Sequence, residues 1–178
     1  MRTLVRWMFS RDHADVFAID RECFAEHWSD DDFLSALRQR NCNGMVVEHN
    51  HAVVGFMVYE LHSKHLQVLR FAVHSNFQYQ GFGRAMFAKL LDKLEQQGRT
   101  GLRIVIRESN IDGQLYFKSL GFKCMDIRRN YFWSSGTDEA GYEFVYSRPS
   151  RSRKSEEMEG DLSAYEFVEH TDTRTGGG

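Results

Sequence analysis

Between an apolar run, Leu66 to Val73, and an amphipathic segment ending near Gln96, the chain reads Gln78-Tyr79-Gln80-Gly81-Phe82-Gly83-Arg84-Ala85. A glycine-rich turn that opens a helix can hold phosphate. The first helical N–H groups have no internal partner, and the helix dipole favours an anion there. Gly81 and Gly83 carry no Cβ, so the backbone can approach a ligand closely. A plain strand-to-helix turn would use the same residues. Two other phosphate motifs are excluded. A dinucleotide fingerprint needs a third glycine where Met86 stands, and no Gly-Lys-Ser/Thr run exists for a P-loop. The eight histidines give no metal signal. His49 and His51 flank a turn-forming Asn50, His62 and His65 lie near a strand end, and none has a helical i, i+4 partner or a nearby cysteine pair.

These residues need elements to position them. Thr3 to Met8 predicts a first strand. Ser10 is the expected N-cap of a helix carrying Val16, Ile19, Cys23 and Phe24. Ser29 caps a second, with Asp30, Asp31 and Asp32 in its first turn and Phe33, Leu34 and Leu37 on its buried face. Met45–Glu48 and Ala52–Leu61 form a hairpin, and Leu66 to Val73 a further strand. After the glycine turn, Met86, Phe87, Leu90, Leu91 and Leu94 make a wide apolar stripe that Gly98 ends. Leu102, Ile104 and Ile106 alternate with Arg103, Val105 and Arg107 in a strand. Asn110 caps a short helix through Leu120, weakened by Gly113. Phe122–Ile127 and the alternating Tyr142, Phe144 and Tyr146 give the last strands. The order of strand, two helices, three strands, helix, strand, helix and two strands implies an α/β chain with a mixed sheet. One domain over residues 1–148 is expected. From Pro149 the composition turns to Ser, Arg, Glu and Thr, a polar tail in which only Ala164–Val168 could dock as an extra strand.

Charge and composition narrow the class. Formal net charge is −2, without the basic surplus that nucleic-acid binding wants. Cys23, Cys42 and Cys124 are odd in number and scattered, which argues against a disulfide framework and for a reducing cytoplasm. No secretory h-region follows Met1, and no apolar run is long enough to span a bilayer.

The glycine turn resembles the Gln/Arg-x-x-Gly-x-Gly/Ala turn of the GCN5-related N-acetyltransferases (GNAT). Downstream, Arg107-Glu108-Ser109-Asn110 and Leu115-Tyr116-Phe117-Lys118-Ser119-Leu120-Gly121-Phe122 are similar to that family's second half. Ile127-Arg128-Arg129-Asn130-Tyr131-Phe132 resembles the matching region of the bacterial RimI-type enzymes, which acetylate protein N-termini, notably of a ribosomal protein. The resemblance runs from about Val5 to Arg148. It implies the GNAT fold: a mixed, mostly antiparallel sheet of about seven strands with about four helices. It also implies acetyl-CoA as cosubstrate, no metal, and a monomer or homodimer. Gln78, Gly81, Phe82, Gly83, Arg84 and Ala85 would hold the pyrophosphate. Phe71, Ala72 and Val73 would form the strand edge at the thioester, with Val73 closest to its carbonyl. Asn110 would bind the cofactor's arm, and Tyr116 would protonate the departing thiolate. Read without the family, Asn110 is a helix cap and Tyr116 a core aromatic.

One departure stands out. RimI-type enzymes carry a glutamate, which takes the amine's proton, where this chain has Val105. Cys23-Phe24-Ala25-Glu26-His27-Trp28 resembles a loop of the eukaryotic N-terminal acetyltransferases, in which a glutamate works near the substrate's amino end. Glu26 is therefore the expected acceptor, with Glu108 and His74 as outside candidates; a solvated loop carboxylate is the alternative. An α-amine with pKa near 8 is about one-fifth neutral at pH 7.4, whereas a lysine near 10.4 is neutral to roughly one part in a thousand. Without a strong base, that difference costs a lysine acceptor roughly 3–4 kcal/mol. A protein or peptide N-terminus is thus the expected acceptor. A small amine such as a polyamine, amino acid or aminoglycoside, and a non-catalytic acetyl-CoA-binding regulator, are the alternatives.

Overall fold

A computed structural model describes the backbone of residues 2–134 and 137–148. The expected tail, 149–178 with its Ala164–Val168 patch, lies outside the described residues. The elements are β1 (Thr3–Trp7), α1 (His13–Cys23), α2 (Asp30–Leu37), β2 (Cys42–His49), β3 (Ala52–Leu61), β4 (His65–Val73), α3 (Phe82–Gln96), β5 (Gly101–Arg107), α4 (Ile111–Ser119), β6 (Lys123–Ser134) and β7 (Thr137–Ser147). Short 3₁₀ turns precede α1 and α3. The sheet order is β1-β2-β3-β4-β5-β7-β6. Only β4 and β5 run parallel, and α3 is their crossover. Seven strands, mostly antiparallel, with four α-helices match the mixed sheet expected from the sequence.

Each helix start has a local cause. At α2, Ser29 Oγ accepts from Asp32 N–H at 3.1 Å, and Asp32 Oδ2 accepts from Ser29 N–H at 2.9 Å, a reciprocal cap. At α4, Asn110 Oδ1 accepts from Gly113 N–H at 2.8 Å. A Cβ on Gly113 would lie 2.7 Å from that asparagine's Nδ2, so the weak helix former is what lets the cap seat. The expected cap at Ser10 is not formed. The chain first makes a 3₁₀ turn, Ser10–Asp12, in which Asp12 Oδ2 accepts from Phe9 N–H at 2.8 Å. Arg6 holds Asp12, two residues past the predicted cap, at 2.7 Å, and α1 starts from there.

Two cores flank the sheet. One gathers Met86, Phe87, Leu90 and Leu94 of α3 and Phe117 of α4 over Leu66, Leu102, Ile104 and Phe144. The other packs Val16 and Ile19 of α1 and Phe33 of α2 on Val46, Phe56, Val58 and Ala72. Phe33 and Phe56 are fully buried, each worth roughly 1.5–3 kcal/mol against exposure. No residue of β5, β6 or β7 belongs to this second cluster. The central strand β3 sends Phe56 and Val58 to one face and Met57 and Tyr59 to the other, which explains its unbroken apolar run. Among the described residues, no helix is long and apolar enough to cross a membrane.

Candidate active site

The site forms where β4 and β5 part. Their parallel pairing runs from His65↔Gly101 to Val68↔Ile104 and stops. Beyond it β4 stays with β3, while β5 follows β7. Leu69 is an extra residue in β4: Val68 lies opposite Tyr59, and Arg70 opposite Val58. The bulge directs Phe71 and Val73 to the α3 core, while Leu69 and Ala72 pack on the α1 side. His74 N–H bonds Val54 O of β3 at 2.9 Å. By antiparallel alternation, the N–H groups of Phe71 and Val73 then point away from β3, into the gap. Val73 O accepts from Gln78 Nε2 at 3.0 Å and lies 3.4 Å from Cys23 Sγ, which fixes this strand end.

The glycine turn borders the same gap. Gly81 has φ of +88°, a left-handed value that glycine adopts without strain, and it caps α3. Ala85 N–H bonds Gly81 O, so the amides of Phe82, Gly83 and Arg84 are the first-turn donors without a helical partner. Phe82 is buried and anchors the turn. Gly83 has a role the sequence did not suggest. A Cβ there would stand 2.7 Å from Tyr116 Oη and 3.0 Å from Phe71 Cζ. The missing side chain makes room for the tyrosine as well as for an anion.

Tyr116 packs in an aromatic cluster. Its ring is stacked on Phe71 at 6.0 Å between centroids and sits edge-on to Phe117 at 5.4 Å. Its hydroxyl is buried without a hydrogen-bond partner among the described residues. Burial pushes its pKa up to about 12, with Arg84 pulling slightly the other way. The hydroxyl is therefore protonated at neutral pH, and leaving it unpaired costs on the order of 1–3 kcal/mol unless a ligand pairs it. Gln114, absent from the sequence reading, ties the strand end to α4: its Nε2 donates to Glu108 O at 2.8 Å and to Arg107 O at 3.2 Å.

The opposite rim is charged. Buried Asp20 accepts from Arg70 Nε at 2.6 Å and from Trp28 N–H at 2.8 Å, and Arg70 Nη2 donates to Glu26 O at 2.8 Å. These contacts clamp the α1–α2 loop to β4. Glu26 then reaches across to β5, where its Oε2 accepts from Arg107 Nη2 at 2.7 Å. Arg107 also donates to Glu139 at 2.9 Å, and Glu139 accepts from Ser109 N–H at 2.6 Å. Ser109 and Arg107 hold the Glu139 carboxyl below its ordinary range. The outside candidates lie elsewhere. Glu108 is exposed and accepts from Tyr142 Oη at 3.0 Å, while His74 is 3.2 Å from Glu22. Val105 sits beside Gly141, opposite Glu143 of β7. Glu143, expected only as an alternating polar residue of the last strand, is buried and accepts from Arg128 Nη2 at 2.8 Å. Among the described residues, no group of three or more His, Cys, Asp or Glu side chains is placed to hold a metal.

Known proteins are similar in sequence and in fold. A family model described as the acetyltransferase (GNAT) family matches residues 13–122. The [ribosomal protein bS18]-alanine N-acetyltransferase of Escherichia coli strain K12 is 31% identical over 117 residues, covering 66% of this chain and 78% of the relative. The Haemophilus influenzae protein of the same name is 28% identical over 121 residues, covering 68% and 82%. Among solved structures, the Escherichia coli ribosomal-protein-S18-alanine N-acetyltransferase superposes with a TM-score of 0.76 at 24% identity, covering 86% of this chain and 98% of that one. Arabidopsis thaliana Naa50, in complex with the bisubstrate analogue CoA-Ac-MVNAL, superposes with a TM-score of 0.71 at 16% identity, covering 83% and 99%.

Proposed function

The chain belongs to the acetyltransferase (GNAT) family, and on that premise we propose that it moves the acetyl group of acetyl-CoA to the α-amine of a protein or peptide N-terminus. The observation that carries the reading is the buried, unpartnered Tyr116 hydroxyl at the β4–β5 gap, facing the glycine that opens α3. A hydroxyl kept protonated and unpaired suits a departing sulfur.

Acetyl-CoA, when bound, supplies the activated acetyl thioester. The residues present fit it. The first-turn amides of α3, from Phe82, Gly83 and Arg84, would take the pyrophosphate, and Gln78 and Ala85 would hold the turn's shape. The gap-facing amides of Phe71 and Val73 would polarise the thioester carbonyl, with Ala72 spacing them. Asn110 would serve the cofactor's arm in addition to its cap. Tyr116 Oη would hold the proton destined for the sulfur. Glu26, tied to Arg107, would border the acceptor amine.

The acceptor follows from the opposite rim. Val105 places an apolar group on β5 where the relatives' resemblance places a carboxylate. An acceptor with pKa near 8 tolerates that far better than a lysine near 10.4. The relatives are named alanine N-acetyltransferases of a ribosomal protein, which supports an N-terminal acceptor. The free cysteines Cys23, Cys42 and Cys124 accord with cytoplasmic action.

The test is one acceptor panel assayed with acetyl-CoA: peptides with free α-amines and varied first residues, the same peptides blocked at the N-terminus but carrying lysine, and polyamines. Turnover confined to free α-amines is expected. Preference for polyamines or lysine would overturn the acceptor, and acetyl-CoA binding without turnover on any amine would select a regulator.

A further inference from the structure

We propose that Glu143 of β7 takes the proton of the acceptor amine through a water, supplying from the neighbouring strand the carboxylate that Val105 denies to β5. The inference rests on the acetyl-transfer reading above. Val105 and Glu143 are direct partners in the antiparallel β5–β7 ladder, so their side chains leave the same face with Cβ atoms on the order of 5 Å apart. That face also carries Arg107, and through it Glu26 and the α1–α2 loop. Glu143 is buried to 7% exposure, unusual for a carboxylate on a sheet face that the α1–α2 core leaves uncovered.

The geometry separates the two oxygens. Arg128 Nη2 donates to Oε1 at 2.8 Å, and Arg103 Nη1 stands 3.8 Å from the same oxygen, beyond hydrogen-bond reach. Among the described residues no donor reaches Oε2. The carboxylate is thus anchored by one oxygen with the other available to a water. Glu26 differs in place: it reaches in from the α1–α2 loop to Arg107, whereas Glu143 stands on the strand directly opposite Val105. The charged and titratable groups facing Glu143 are Arg103 of β5, Arg128 and Asp126 of β6, the latter its ladder partner and exposed, and, at longer range, His65 of β4.

The step balances. An N–H bond of the ammonium breaks, and its proton passes through the water to Oε2. The freed lone pair attacks the thioester carbonyl carbon. The C–N bond forms as the C–S bond breaks, and Tyr116 Oη gives its proton to the sulfur. The second proton lost by nitrogen restores Tyr116 through solvent, and Glu143 returns its own to solvent.

The experiment is the pH dependence of kcat/KM on one good N-terminal peptide, for wild type, Glu143→Gln, Glu26→Gln and Val105→Glu/Glu143→Gln, with acetyl-CoA binding measured in each. At pH 6 the α-amine is about 1% neutral, so Glu143→Gln should lose on the order of tenfold to a hundredfold there and little at pH 9. The double variant, with its carboxylate back on β5, should recover most of that loss. A Glu143→Gln profile that superimposes on wild type overturns the proposal. So does a loss equal at every pH, or a pH-dependent loss found in Glu26→Gln instead. If Glu143→Gln does not fold, Glu143→Asp keeps the charge and draws the oxygen back by a methylene. A deficit growing toward low pH then supports the proposal, and none overturns it. Wild type that binds acetyl-CoA but acetylates no α-amine would fail the functional reading instead.

Discussion

The two rims of the β4–β5 gap are built on different principles. The thioester rim is aromatic and dry: Phe71, Phe87, Tyr116 and Phe117 pack together, with Phe71 and Tyr116 against Gly83, and the Tyr116 hydroxyl is buried without a partner among the described residues. The amine rim is a lattice of charges in which Asp20, Arg70, Glu26, Arg107 and Glu139 link α1, the α1–α2 loop, β4, β5 and β7. The first rim brings β4, the start of α3 and α4 together through ring contacts such as Phe71 on Tyr116. The second joins charged partners 32 to 81 residues apart. A dry rim presents a single proton at a defined place. A charged rim clamps the α1–α2 loop to β4 and β5.

The comparison can be broken most strongly at Tyr116. Tyr116→Phe keeps the ring stacked on Phe71 and removes the hydroxyl, so kcat should fall about 10²–10⁴-fold while acetyl-CoA affinity holds, read by steady-state kinetics and calorimetry. Because the hydroxyl titrates only near pH 12, the ratio of wild type to variant should stay constant from pH 6 to 10. Wild-type turnover would leave Tyr116 a core aromatic.

Asp20→Ala tests whether the charged rim is structural. Asp20 is fully buried, and its removal strands Arg70 and the Trp28 amide. A loss of about 3–5 kcal/mol in denaturant unfolding is expected, the range for breaking a buried pair. A loss under 1 kcal/mol would show that the loop is held by its aromatic contacts, such as Phe24 beneath Arg70.

Two glycines of one turn sharpen the contrast. Gly83→Ala drives a Cβ into Tyr116 Oη, so acetyl-CoA affinity and kcat should both fall tenfold or more. Gly81→Ala meets nothing within 4 Å and suffers only its left-handed φ, a cost of roughly 1–2 kcal/mol in stability. Equal effects on kcat would deny Gly83 its role in seating the tyrosine.

The smallest effect belongs to Glu139→Gln at the outer end of the charge lattice. Peptide KM should rise only a few-fold, with kcat unchanged. The sign with pH follows from its depressed pKa. The pair's contribution is fully present above the ordinary glutamate value of about 4.3 and is lost as pH falls through the lower folded value. Between pH 5 and 8 peptide affinity should therefore not depend on Glu139 ionisation, and a KM that changes across that range in wild type but not in the variant would contradict it.

Much of the thioester rim was legible in the sequence. The α3 stripe, the Gly81 and Gly83 turn, the Asn110 cap and the Ser29 cap all rest on spacings of three or four residues, where local geometry decides. The succession of strands and helices along the chain followed from alternation and turn residues, which are local, whereas the place of β7 between β5 and β6 did not. The Ser10 cap failed for the opposite reason: Arg6, on a strand, draws Asp12 into the first turn, and no local rule anticipates that competitor.

Local pattern was enough for most of the elements, for the glycine turn that opens α3 and for the apolar residue at Val105. Only the tertiary structure decided that β4 and β5 part after Val68, that Leu69 is the extra residue that re-aims Phe71, that Gly83 yields its space to Tyr116, and that Glu143 stands opposite Val105. A helix turn or a cap is fixed by dihedrals and hydrogen bonds within a few residues. Register between strands far apart in the chain is fixed by the packing of all of them at once, and no local pattern carries that information.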